Sequence, residues 1–117
     1  MTYTKPNHRQ LERAISLARL SQMRQKHGAV IVRGGRILGV GINTERNSPA
    51  VKGIPNGGFS QHAEMNALRG VSREINLKNA SIYVARISSG GNIANSRPCR
   101  DCQIALSEAG ITKIFYT

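Results

Sequence analysis

The chain has 117 residues, enough for one domain (1–117) with a buried core of its own. No apolar run approaches the roughly 20 residues of a membrane span, and the opening MTYTKPNHRQ lacks the apolar centre of a secretory leader, so a spanning helix is excluded and a cytoplasmic location is expected. The net charge is +11, and 12 of the 17 basic residues are arginines, which predicts an anionic partner: nucleotide phosphates, a nucleic acid or an acidic protein.

NHRQLERAISLARLSQMRQ reads as an amphipathic helix opened by Pro6 and Asn7, with Leu11, Ile15 and Ala18 on one face. Arg9, Arg13 and Arg24 fall on another face, with Lys5 near them. GAVIVRGGRILGVGIN predicts a β-hairpin that turns at Gly34-Gly35, a pair able to take positive φ. Its near-continuous apolar run 29–32 predicts a strand covered on both faces. TERNSPAVKGIPNGG, with two prolines and three glycines, predicts a loop of 15 residues, expected to form a mobile pocket wall ahead of His62. A helix is predicted over 61–69, with Ser60 as its N-cap and Gly70 as its stop. SIYVARI is the third strand, and SSGGNIANS a second glycine-rich loop. PCRDCQIALSEAG predicts a helix with Pro98 in its first turn, Asp101 near its positive end and Gly110 at its stop; ITKIFYT is a final strand. This order predicts an α/β fold, a three-layer α-β-α sandwich with a minimal core. Its mixed sheet has about four strands, parallel neighbours and one antiparallel strand from the hairpin.

Both cysteines lie in RPCRDC, three residues apart, a spacing that in a reducing compartment suits metal or redox chemistry better than a disulfide scaffold. Cys99 and Cys102 can face one point from one helical turn, at a helix start whose dipole favours the thiolate. His62, in HAE, is also at a predicted helix start, and two such starts at one sheet edge bring three zinc donors together. Three protein ligands leave zinc an open fourth position, the pattern of catalytic rather than structural sites. His8 and His27 could close the site, but both lie early in the chain, away from these helix starts. Glu64 then has a role: a carboxylate beside such a site can take a proton and hand it to a leaving group. Asn43, at the end of the second strand, offers an amide to a sugar hydroxyl or base edge. Taken singly, each feature has an ordinary reading: a structural histidine, a redox pair, a solvated glutamate. Jointly and in this order, H-x-E followed by P-C-x-x-C is the signature of zinc-dependent nucleobase deaminases.

At GAVIVRGGRILGVGIN, HAEMNAL, SIYVAR and RPCRDCQIALSEAGITKIFYT the sequence resembles the cytidine/deoxycytidylate deaminase superfamily, over nearly the whole chain. Histidine in HAE is similar to the branch that acts on deoxycytidylate, tRNA adenosine and polynucleotide cytidine. The resemblance implies a cytidine deaminase-like fold and a Zn2+ held by His62, Cys99 and Cys102. It also implies proton transfer by Glu64, hydrolytic loss of ammonia from a base, and substrate contacts from Asn43 and the Ala63 backbone N–H. Many members continue past the last strand predicted here, and the loop 88–97 is expected to share their substrate-selecting role. The expected substrate is a free cytosine nucleotide, deoxycytidine monophosphate first, with Arg46, Lys52, Arg97 and Arg100 as candidates for its phosphate. The alternatives are cytosine or adenine within single-stranded DNA or RNA, including tRNA, and an inactive zinc-stabilised basic module. Single-strand binders stack bases on aromatic side chains, and this chain has only five. A homo-oligomer, dimer or larger, is expected.

Overall fold

The computed structural model of the chain describes residues 8–45 and 60–117. Helix α1 (His8–Ala18) buries Leu11, Ala14 and Ala18, as its periodicity predicts, but it is shorter than the amphipathic stretch. Its end tightens through i→i+3 bonds, from Leu20 N–H to the Leu17 carbonyl (2.9 Å) and from Ser21 N–H to the Ala18 carbonyl (3.0 Å). The Ser21 hydroxyl then donates to the Asn43 carbonyl, which turns the chain toward the sheet. Arg24 therefore lies off the helix and does not extend an arginine face with Arg9 and Arg13, while Lys5 lies outside the described residues.

Strands β1 (Lys26–Arg33) and β2 (Arg36–Ile42) form the predicted hairpin. Gly34 (φ 59°) and Gly35 (φ 80°) supply the two positive φ angles of a type I′ turn. Residues 29–32 of β1 are buried on both faces. β3 (Thr44–Glu45) pairs with β4 (Ser60–Gln61) across the predicted loop, most of which, 46–59, lies outside the described residues. Helix α2 (Ala63–Arg69) starts later than predicted. The pairing of Ser60 and Gln61 with β3 holds them extended, so His62 rather than Ser60 is the N-cap. Gly70 ends the helix in the right-handed region (φ −76°), not with a left-handed cap.

Strand β5 (Ser81–Ile87) lies antiparallel to β1, with Lys26 opposite Ile87 and Val32 opposite Ser81. Its other edge is shared end to end by β6 (Ile93–Ala94), antiparallel, and β7 (Lys113–Tyr116), parallel. Between these two, α3 (Arg100–Glu108) begins with Cys99 as its N-cap and stops before Gly110 at φ 100°. The four expected strands are β1, β2, β5 and β7, with β6 as a short addition. β2, β5 and β7 run parallel, but β1 runs the other way between β2 and β5, so β5 and β7 are the parallel neighbours.

The sheet separates two apolar layers. On one face α1 packs over Val30, Val32, Tyr83, Ala85 and Phe115, with the Tyr83 and Phe115 rings stacked at 4.8 Å. On the other, Ala63, Ala67 and Leu106 of α2 and α3 cover Ala29, Ile31, Ile82 and Val84. The result is the predicted three-layer sandwich. Helices α2 and α3 both begin at the carboxyl edge of β2 and β5, the edge where open α/β sheets place their sites.

Candidate active site

The chain leaves β2 and β5 at the same edge, and register does the rest. Gly28 pairs with Ile42 and Lys26 with Ile87, so the ends of β2 and β5 stand on either side of the start of β1. His62 and Cys102, 40 positions apart, meet there, with His62 Nδ1 3.2 Å from Cys102 Sγ and 3.6 Å from Cys99 Sγ. All three donor atoms lie within 4.8 Å of one another. A tetrahedral zinc with bonds of about 2.3 Å to sulfur and about 2.0 Å to nitrogen separates its ligands by roughly 3.5–3.8 Å. Donor type, number and spacing therefore fit a metal ion of the zinc class.

Two ties hold the donors in place. The segment leading to Cys99 is fixed by Ser96, whose hydroxyl donates to the Val84 carbonyl (2.8 Å) and whose N–H donates to the Thr117 carbonyl (3.1 Å). The Thr117 hydroxyl donates to the Ala94 carbonyl (2.7 Å) and accepts the Arg86 N–H (3.2 Å). On the other side, the Asn66 amide of α2 donates to the Ile42 carbonyl (2.8 Å), clamping the helix that carries His62 to the end of β2.

Glu64 is 3% exposed, and its Oε1 has no hydrogen-bond partner among the described residues. Burial raises its pKa above the usual carboxylate range, against the opposing pull of a backbone hydrogen bond and of His62. Burial also pushes the Cys102 thiol well up, with Glu64 adding to the effect. At Cys102 desolvation thus outweighs the helix dipole expected to favour the thiolate, and a metal has to displace the thiol proton.

Asn43 is buried beside the site, but its side chain is engaged by backbone: Oδ1 accepts the His27 N–H (2.8 Å), and Nδ2 donates to the Gln25 carbonyl (2.6 Å). Ala63 is the first residue of α2, and its N–H is one of the donors a helix start leaves free. Arg97 and Arg100 are exposed; Arg97 donates its backbone N–H to Asn95 Oδ1 (2.9 Å). Arg46 and Lys52 lie outside the described residues.

Two residues that the sequence reading left out of the site belong at this edge. His27 and Arg86 are register partners on the α2 face of the sheet, the face of Ala29 and Val84. The early position of His27 in the chain is misleading, because β1 begins where β2 and β5 end. Burial, then Arg86, then His62 bring its pKa down to about 4, so its ring is neutral at physiological pH. Among the described residues, buried Arg86 Nε has no hydrogen-bond partner. No local motif marks either residue; only the β1–β5 register places them.

The profile of the cytidine and deoxycytidylate deaminase zinc-binding region matches residues 4–117. No curated protein sequence matches the chain significantly. Among solved structures, the dCMP deaminase of the cyanophage S-TIM5 in apo form is 26% identical, with a TM-score of 0.71 over 97% of this chain and 84% of that one. Its complex with dCMP and dUMP gives 26% identity and a TM-score of 0.69 over 97% and 83%. Guanine deaminase from Bacillus subtilis is 26% identical, with a TM-score of 0.60 over 95% of this chain and 64% of that one.

Proposed function

The chain belongs to the cytidine and deoxycytidylate deaminase family, zinc-dependent hydrolytic deaminases, and from that premise we propose that it converts a free deoxycytidine nucleotide, deoxycytidine monophosphate first, to the uracil nucleotide and ammonia. The observation that carries this reading is the buried Glu64 carboxylate, whose Oε1 has no hydrogen-bond partner among the described residues, beside a three-donor metal cluster. A metal held by His62, Cys99 and Cys102 supplies Lewis acidity and lowers the pKa of water. Glu64 takes one proton from the water as its oxygen bonds to C4 and gives that proton to N3, then moves the second proton from this oxygen to the amino group, so that the C4–N bond breaks, ammonia leaves and C4 becomes a carbonyl. The free Ala63 N–H, the Arg86 Nε–H and the neutral His27 ring are the donors and acceptors that orient the base and sugar. Asn43 braces the chain at the sugar side, and Arg46 and Arg97 offer charge to the phosphate.

Support for a free nucleotide comes from the cyanophage relative, whose complex holds dCMP and dUMP, the substrate and product of this reaction. The equal identity to a guanine deaminase makes a different base the reading to test against, beside cytosine or adenine within a strand. The protein is assayed for ammonia and deaminated product with deoxycytidine monophosphate, cytidine monophosphate, deoxycytidine, guanine and a cytosine-containing oligonucleotide. Deoxycytidine monophosphate is expected to turn over fastest. Turnover of guanine or oligonucleotide alone overturns the assignment.

A homo-oligomer accords with the apolar strip that α1 leaves uncovered at the β2 edge, where Leu20, Ile37 and Val40 are exposed. A cytoplasmic location accords with two free thiols as metal ligands. Among the described residues, no helix is long and apolar enough to cross a membrane.

A further inference from the structure

We propose that Arg86 is the residue that selects the base: its Nε–H donates to the carbonyl O2 of cytosine, one ring atom beyond the amino-bearing side of N3, and thereby admits cytosine and rejects adenine, which has a C–H at the corresponding place. The inference rests on the reading of the site as a deaminase of cytosine nucleotides and names the atom by which that base is told from adenine.

Arg86 is the last residue of β5 on the α2 side of the sheet, following Ile82 and Val84 on that face. Two ladder partners flank it, His27 on β1 and Ala94 on β6. The chain runs from β6 to Cys99, while His27 stands close enough to His62 for the two rings to interact electrostatically. Arg86 therefore occupies the sheet floor between the segments that bring in the metal donors. Its backbone N–H is used by Thr117 Oγ1 (3.2 Å), which fixes the strand and does nothing for the side chain.

The rest of this face is apolar, with Ala29, Ile31, Ile82 and Val84 buried beneath α2 and α3. A guanidinium placed there costs stability unless its N–H groups are bonded, and the buried Nε has no partner among the described residues. Two groups at this edge thus lack partners and differ in kind: Glu64 Oε1 accepts, and Arg86 Nε–H donates. The cytosine edge beside the reacting carbon presents N3 and then O2. N3 receives its proton from Glu64, and O2 takes the N–H of Arg86. A carbonyl oxygen accepts two hydrogen bonds, so the free Ala63 N–H can share it. His27 does not compete as a charged donor, because burial, then Arg86, then His62 keep its pKa at about 4 and its ring neutral at physiological pH.

The test is a ratio of kcat/KM values on the zinc-loaded full chain, deoxycytidine monophosphate over its 2-thio analogue, whose sulfur is a poor hydrogen-bond acceptor. Wild type is expected to prefer the oxygen by about tenfold or more, the scale of one charge-assisted hydrogen bond. Arg86→Met keeps an unbranched stem without a donor. It is expected to hold zinc, to melt no lower than wild type and to lose the preference. Should Arg86→Met fold poorly by circular dichroism, Arg86→Lys, which keeps the charge but has no donor at the Nε position, reads the same ratio and is expected to lower it. A wild type indifferent to the sulfur overturns the proposal. So does a ratio that substitution leaves unchanged, with both nucleotides slowed alike, because that marks an arginine with a structural role only. Wild-type turnover of deoxyadenosine monophosphate as fast as that of deoxycytidine monophosphate overturns it equally. Absence of wild-type turnover of any cytosine nucleotide overturns the functional reading and the proposal with it, whereas turnover without the oxygen preference overturns the proposal alone.

Discussion

At Glu64 the fold keeps a carboxylate 3% exposed, with one oxygen lacking a hydrogen-bond partner among the described residues. A buried polar atom without a partner costs about 1–3 kcal/mol, which stability alone gives no reason to retain. Glu64→Gln keeps the shape and removes the proton acceptor. It is expected to retain zinc and melt no lower than wild type while losing about 10²–10⁴-fold in turnover, the usual contribution of a general acid–base group. Turnover within a few-fold of wild type, or loss of zinc with the proton acceptor, would remove Glu64 from the proton path. His62, Glu64, Cys99 and Cys102 were legible because their chemistry is written as two short motifs. His27, Arg86 and Asn66 were not. Each acts through a partner at least 24 positions away, His27 through Arg86, Arg86 through Thr117 and Asn66 through Ile42, and nothing local marks such a partner.

Helix α2 reaches its position because Gly39 and Gly41 of β2 let it, and α1 because Gly28 of β1 does. A Cβ on Gly41 would stand 2.4 Å from Ala67 N and 2.5 Å from Ala63 O, backbone atoms of the helix that carries Glu64 and follows His62. A Cβ on Gly28 would stand 2.2 Å from Ala14 O and 2.5 Å from Ala18 N, pushing α1 instead. Both Gly41→Ala and Gly28→Ala are expected to destabilise the fold, by about 1–3 kcal/mol as overpacking does. Of the two, Gly41→Ala is expected to weaken zinc binding and turnover beyond its share of the stability loss, because it displaces a ligand-bearing helix. Equal losses of zinc affinity in thermally matched variants would show that α2 is not held by this contact. The hairpin, the three helices and the main strands were legible from apolar period and Gly-Gly turn chemistry. The helix boundaries were less so: the start of α2 is set by β3–β4 pairing and the end of α1 by Ser21 reaching Asn43, both long-range bonds.

Across the whole molecule, the three-layer architecture was legible from the order of elements, whereas the direction of β1 relative to β5 was not. Alternating strands and helices fix which strands are parallel, not which lie side by side. The charge of +11 was legible as a number, but not its layout; the expected Arg9–Arg13–Arg24 face dissolves once α1 ends at Ala18, and Arg24 turns up beside Arg19 and Lys26. With a mononucleotide substrate, apparent affinity is expected to fall only mildly from low to physiological salt. A strand spread over the arginines falls with a log–log slope of about −0.7 per phosphate contacted. KM for deoxycytidine monophosphate and binding of a dodecamer across a salt series read this directly, and a steep slope shared with oligonucleotide turnover would favour the strand. The reversed middle strand also sets an order of events. β1 can pair with β2 as soon as the hairpin turn leaves the ribosome, yet its other edge stays bare until β5 arrives, about 50 residues later. His62 precedes Cys99 by 37 positions, so the three donors come together only once α3 has docked, and the metal is expected to join after the sheet rather than to nucleate it. Such a late clasp is expected to slow the opening of the native protein rather than hasten its formation, and unfolding and refolding rates with and without zinc check this.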